Sequence, residues 1–159
     1  MKSQLVEVWR MSSEVNSYLL DNIEEQYLDD RYSARTRTVR AQFSHIHNVR
    51  LRWLNHADAE LVGEVKSFPK GAQPRKKELK EALQASEEII AQFLEKCEAT
   101  GEVKKWNGSP ATFLGYLVAH EAHHRGLAMV AMRISRHKLP QEVVYGQWQW
   151  GKRRNLREA

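Results

Sequence analysis

Four long stretches with helical apolar spacing, divided by short breakers, set what this chain can fold into. The first runs from about Leu5 to Leu28 and carries Val6, Trp9, Val15, Leu19, Leu20, Ile23 and Tyr27 at helical intervals. The second runs from about Thr38 to Val62 and ends before Gly63. Pro74 opens the third, since proline is favoured in a helix's first turn, and Gly101 closes it. Ser109-Pro110 is a cap followed by a proline, a start signal for the fourth, which reaches about Arg136 before Pro140 bars extension. Alternating strand patterns are nearly absent. Four helices of ~22–27 residues with short links predict an all-α, antiparallel four-helix bundle formed by residues 1–159 as a single domain. The stretch Tyr145-Gly-Gln-Trp-Gln-Trp-Gly151 reads as a short aromatic tail, with Trp148 and Trp150 alternating as in an extended segment.

Composition narrows the function classes. A chain of 159 residues that is 42% apolar and 28% charged can bury a sizeable core. The lone cysteine, Cys97, excludes an intramolecular disulfide and any metal site built on several thiolates. No apolar run approaches the ~20 residues of a membrane span, and the N-terminus lacks the apolar core of a signal peptide. A cytoplasmic location is expected. The formal charge is +5, and the excess is partly local, at Arg75, Lys76 and Lys77 and at Lys152, Arg153, Arg154 and Arg157. No recognition motif or stacking platform accompanies those runs, so they read as solvated surface rather than a nucleic-acid interface.

Five of the seven histidines fall in two tight groups, His45 with His47 and His120 with His123 and His124. Imidazole is the commonest protein ligand for transition metals. His120 and His124 are four apart, one helical turn, so both rings can reach one ion. Stepping four and three through the fourth helix gives Phe113, Leu117, His120, His124, Leu127, Ala131 and Ile134, a seam facing the bundle interior. Two polar rings in that seam need a metal ion, a hydrogen-bonded network or water, because an unsatisfied buried polar group costs ~1–3 kcal/mol. Gly126, costly inside a helix, suggests close approach by a neighbouring helix or a ligand. In the second helix, stepping 100° per residue puts His47 roughly 70° from the mean apolar direction and His45 about 130°. Periodicity thus prefers His47 as the inward histidine.

Two of these stretches together resemble the DinB/YfiT-like superfamily. One is Thr38-Val-Arg-Ala-Gln-Phe-Ser-His45, with Ile46, Arg50 and Trp53 after it. The other is His120-Glu-Ala-His-His124-Arg-Gly126. The likeness spans most of the chain. It implies a four-helix bundle, usually a homodimer, with three histidines holding a divalent metal ion. Matched position by position, the ligands are His45, His120 and His124, with His47 as the alternative to His45. Many relatives have glutamine where this chain has Leu127.

Three neutral nitrogens leave a coordination position open to water or substrate. Characterised relatives include transferases that use low-molecular-weight thiols. The resemblance therefore implies a metal-dependent thiol S-transferase or hydrolase acting on a small electrophilic molecule, with zinc or nickel as the metal. Glu121 is a candidate proton shuttle. Arg50, Arg52 and Arg125 are candidates to hold an anionic substrate group. The alternative is a non-catalytic metal-binding or dimerisation module in a stress response. Cys97 reads as a buried structural thiol, not a nucleophile.

Overall fold

The computed structural model describes residues 3–154, and no strand occurs among them. Four long helices form the body: α1 (Gln4–Asp21), α2 (Val39–Ala57), α4 (Lys76–Thr100) and α5 (Pro110–Ile134). A short helix, α3 (Ala59–Val62), follows α2, and α6 (Gln141–Gly146) and α7 (Trp150–Arg154) close the chain. Local chemistry sets the ends. Ser3, Thr38 and Ser109 each accept a hydrogen bond from a first-turn amide, that of Val6, Ala41 and Thr112 respectively. The Glu78 carboxylate accepts from the Arg75 amide at 2.8 Å to fix the start of α4. Gly101 takes a left-handed φ of 75° as α4 stops, and its amide donates to the Cys97 carbonyl.

Boundaries differ from the sequence expectation in two places. The first helix stops at Asp21, and a 3₁₀ turn at Glu25–Tyr27 takes over. The second breaks at Asp58, whose φ of −155° is extended, so its last residues form α3 instead. The aromatic tail is not extended. It folds into α6 and α7, with Trp148 exposed between them and Trp150 opening α7. Arg153 stacks over the Tyr18 ring and donates to the Gly146 carbonyl, tying α7 to α1. Of the basic cluster expected at the terminus, Arg157 lies outside the described residues.

The bundle is present, and its order follows from its cross-links. Trp9 donates to the Glu87 carbonyl and Lys80 pairs with Asp21, so α1 and α4 run antiparallel. Trp53 packs on Phe113 and Gln42 bonds His124, so α2 and α5 also run antiparallel. Arg40 reaches the Pro74 carbonyl, Arg50 reaches Ser86 and Lys96 pairs with Asp58. Residue numbers therefore rise together along α2 and α4, which run parallel. A parallel pair needs a crossover, and residues 58–75 supply it.

The core has two apolar ends. One gathers Trp9, Leu51, Leu54, Ile90, Phe93, Phe113 and Leu117. The other gathers Leu19, Leu20, Phe43, Ile46, Leu79, Leu83, Ala128 and Met132. Each fully buried side chain of this size stabilises by about 1.5–3 kcal/mol. Between the two ends lies a layer of buried polar residues: Ser13, Asn16, Arg50, Ser86, Glu121 and Arg125.

Candidate metal centre

Because α2 packs against α5, His45 comes face to face with the α5 histidines. One ligand atom from each of His45, His120 and His124 lies within 4.8 Å of the others. The rings of His45 and His124 meet edge to face at 4.4 Å between centroids, and His120 and His124 do so at 4.5 Å. His124 is buried, while His45 and His120 are half-buried. The group therefore sits at the rim of the α2–α5 groove, open on one side.

Hydrogen bonding fixes the chemistry of these rings. His124 Nδ1 lies 2.7 Å from the buried Gln42 Oε1. An amide oxygen only accepts, so Nδ1 carries the proton and Nε2 presents its lone pair. That Nε2 lies 3.1 Å from His120 Nε2. Two nitrogens so placed need either a proton on His120 Nε2 or a shared cation. Tyr116 stacks on the outer face of His120 at 5.8 Å, and His123 stands edge-on to His124 at 5.1 Å.

All three rings are held neutral. Burial lowers the His124 pKa first, and His45, His120, His123 and Arg37 lower it further, to about 3. Burial, then Arg37, His120 and Arg52, take His45 to about 4. Burial also lowers His120, against the opposing charge of Glu121. Neutral imidazole is the form that ligates, so the donor set fits a divalent cation. Three nitrogens leave room for water or substrate.

The fully buried histidine of the second helix is His47, on the side that periodicity indicated, yet it does not join the cluster. Its Nε2 lies 3.0 Å from the Lys66 carbonyl and its ring packs on Phe68, so it anchors the crossover loop. His45 faces α5 because the cluster lies at the groove's edge rather than on the helix's most buried line. The expected α5 seam holds at Phe113, Leu117, His124 and Ala131, and the buried face also extends to one side of it. Leu114, Leu117, Glu121, His124, Arg125, Ala128 and Met132 are buried, whereas Ile134 is 58% exposed and Leu127 is half-buried. Gly126 faces open space, so no neighbour approaches it closely.

Glu121 and Arg125 lie inside the polar layer. Arg50 Nε donates to Glu121 Oε1 at 2.7 Å and Nη2 to Oε2 at 2.9 Å, while Asn16 Nδ2 donates to Oε2 at 2.7 Å. Arg125 Nη1 donates to Asn16 Oδ1 at 2.7 Å. Ser13, Ser86 and the Leu83 carbonyl take the remaining Arg50 donors, and the Trp9 ring lies 4.6 Å from its guanidinium carbon. A proton shuttle or substrate anchor needs an open face, and Glu121 is only 1% exposed. Glu121, Arg50 and Arg125 thus serve as cross-links that hold α1, α2, α4 and α5 together. Arg52 is exposed. Cys97 is buried away from the cluster, and burial with the Asp58 charge pushes its thiol up to about 11.

The DinB family model matches residues 1–149. The chain belongs to the DinB family. Among curated proteins none matches it. Family membership and the three-histidine cluster agree with each other: both fit a metal-binding protein of DinB type. No helix among the described residues is long and apolar enough to cross a membrane.

Sequence reasoning missed Gln42, Asn16 and Tyr116. Gln42 carried a signal, for it stands one helical turn before His45 and Ile46 on the buried side of α2. Asn16 carried one too, as a polar residue beside Val15 in the apolar stripe of α1. Tyr116 showed none.

Proposed function

We propose that this protein holds a divalent metal ion through His45, His120 and His124 and uses the remaining coordination position on a small electrophilic molecule. Thiol S-transfer with a low-molecular-weight thiol, or hydrolysis, is the reaction class. The observation that carries this reading is the pair of Nε2 atoms 3.1 Å apart, one of them held by Gln42 as a lone-pair donor. A zinc or nickel ion bound there would supply Lewis acidity and lower the pKa of a coordinated water or thiol. The chain's own contribution is positional. Gln42 holds the His124 ring and its tautomer, Tyr116 covers one face of His120, and α2 sets His45 opposite both. A cytoplasmic homodimer acting on a small molecule, with neither nucleic acid nor membrane as partner, completes the proposal.

A second reading, a non-catalytic metal-binding module, draws on the sealing of Glu121 and Arg125 within the polar layer. Elemental analysis of tag-free protein tests the first claim. About one divalent ion per chain is expected, with none in a folded His120→Ala/His124→Ala variant. Metal-free wild type, after reconstitution with zinc or nickel, would reject the site. Metal without turnover across a panel of thiols and electrophiles would favour the second reading.

A further inference from the structure

A cleft of about 420 Å³ opens beside the histidine cluster, between the first half of α2 and the crossover loop, and His45 forms part of its wall. That volume suits a small molecule. Its lining mixes apolar Phe68 and Pro69 with polar and cationic groups. Arg37 and Lys70 stand on it, with Ser44 and Asn48 from α2, and no aspartate or glutamate contributes. Arg37, Lys70 and Arg52 enter no ion pair among the described residues, a condition they share with other surface cations such as Lys104 and Lys138; what distinguishes Arg37 and Lys70 is that both line this cleft.

The loop wall is built rather than loose. Asn48 donates to the Phe68 carbonyl and accepts from the Phe68 amide, both at 2.9 Å. His47 holds the Lys66 carbonyl from the same helix. The Ala72 amide closes a turn onto the Pro69 carbonyl, and Gly71 at its third position takes φ 81°, which favours glycine. Lys70 is thereby set at the tip of a fixed turn.

Charge then selects the ligand. Three neutral imidazoles leave the charge of a divalent ion uncompensated, and no carboxylate stands among them. Arg37 acts on all three rings and Arg52 on two, and the one carboxylate that acts on them, Glu121 on His120, is itself paired with Arg50, so the charge left over is positive even without the metal. A positive, carboxylate-free cleft attracts an anion.

We propose that this cleft binds the anionic group, carboxylate or phosphate, of a small polar substrate through Arg37 and Lys70, presenting the rest of the molecule to the His45 side of the cluster. The proposal rests on the small-molecule reading of the site and names its substrate class. Arg37 is a binding residue missed by the sequence, since it precedes α2 and has no apolar stripe to mark it.

The test is titration of ¹⁵N-labelled protein in low-salt buffer, following the amide signals of Gly71 and Ala72. Probes are sodium acetate, inorganic phosphate and neutral acetamide, each added to metal-free and zinc-loaded protein. One or both anions should shift these signals in wild type with millimolar dissociation constants, while acetamide should not. Arg37→Met/Lys70→Met should bind at least about tenfold more weakly, the loss of a charge-assisted contact. Both residues are exposed, so folding is not at risk. Lys104→Met/Lys138→Met, with the same loss of charge away from the cleft, should bind like wild type. The stronger of acetate and phosphate identifies the anion class. Binding by metal-free protein that depends on Arg37 and Lys70 supports the cleft even where zinc fails to bind, which would sink only the metal reading. Zinc binding without any anion response overturns the cleft alone. So does a response that survives Arg37→Met/Lys70→Met but vanishes in His120→Ala/His124→Ala, because the anion would then sit at the histidines.

Discussion

Two polar groups interrupt the apolar core of this bundle, and they differ in whether they are complete. In the layer around Glu121, every strong acceptor faces a donor. The carboxylate takes Arg50 and Asn16, and Asn16 returns an oxygen to Arg125. Flanking Glu121 on α5, His120 and His124 turn two Nε2 atoms toward each other, with His45 alongside. The first group is closed and buried; the second aims ring nitrogens at one point and opens to solvent. A polar cluster inside a bundle therefore signals structure when its donors and acceptors balance. It signals a site when an acceptor excess is aimed at one point.

The largest effect is expected from Arg50→Ala. It strands the Glu121 charge among buried groups, and breaking a buried pair costs about 3–5 kcal/mol. Urea unfolding should show a loss of that size, or the variant should fail to fold. His120→Ala/His124→Ala should lose far less stability in metal-free protein. Equal losses in the two variants would erase the distinction between cross-link and site.

Gln42→Leu acts on the histidine group alone. It frees the His124 ring and its tautomer without removing a ligand. Competition against a chromophoric chelator should show zinc affinity lower by about 10–100-fold. An unchanged affinity would mean that Gln42 only fills space.

The smallest effect is expected from acid. Folding lowers the pKa of all three cluster histidines, so between about pH 6.5 and pH 4 the unfolded chain binds more protons than the folded one. Metal-free protein should lose stability as pH falls through that window. The loss levels off near the folded values of about 4 for His45 and about 3 for His124, where the folded rings charge as well. Urea midpoints at several pH values measure the slope, and it should flatten in a variant lacking all three histidines. An equal slope in that variant would place the titrating groups elsewhere, with His47, also lowered by burial, as the next to test.

Periodicity and capping determined the helices, because both are local. Apolar residues at helical spacing, Ser109-Pro110 at a start and Gly101 at a stop could be read from the chain alone. The spacing of His120 and His124 likewise committed two rings to one turn of helix. Which helices become neighbours follows from long-range packing. The parallel run of α2 beside α4, forced by the crossover, brings α2 against α5 and so His45 to His124. Rotation about each axis was decided there too. The buried line of α5 passes through Leu117, Glu121 and Ala128, leaving His120 at its edge, and His47 turns to the loop while His45 turns to the cluster. Side-chain spacing gives angles only relative to a helix's own apolar face. Which part of that face meets a partner depends on packing against three other helices at once.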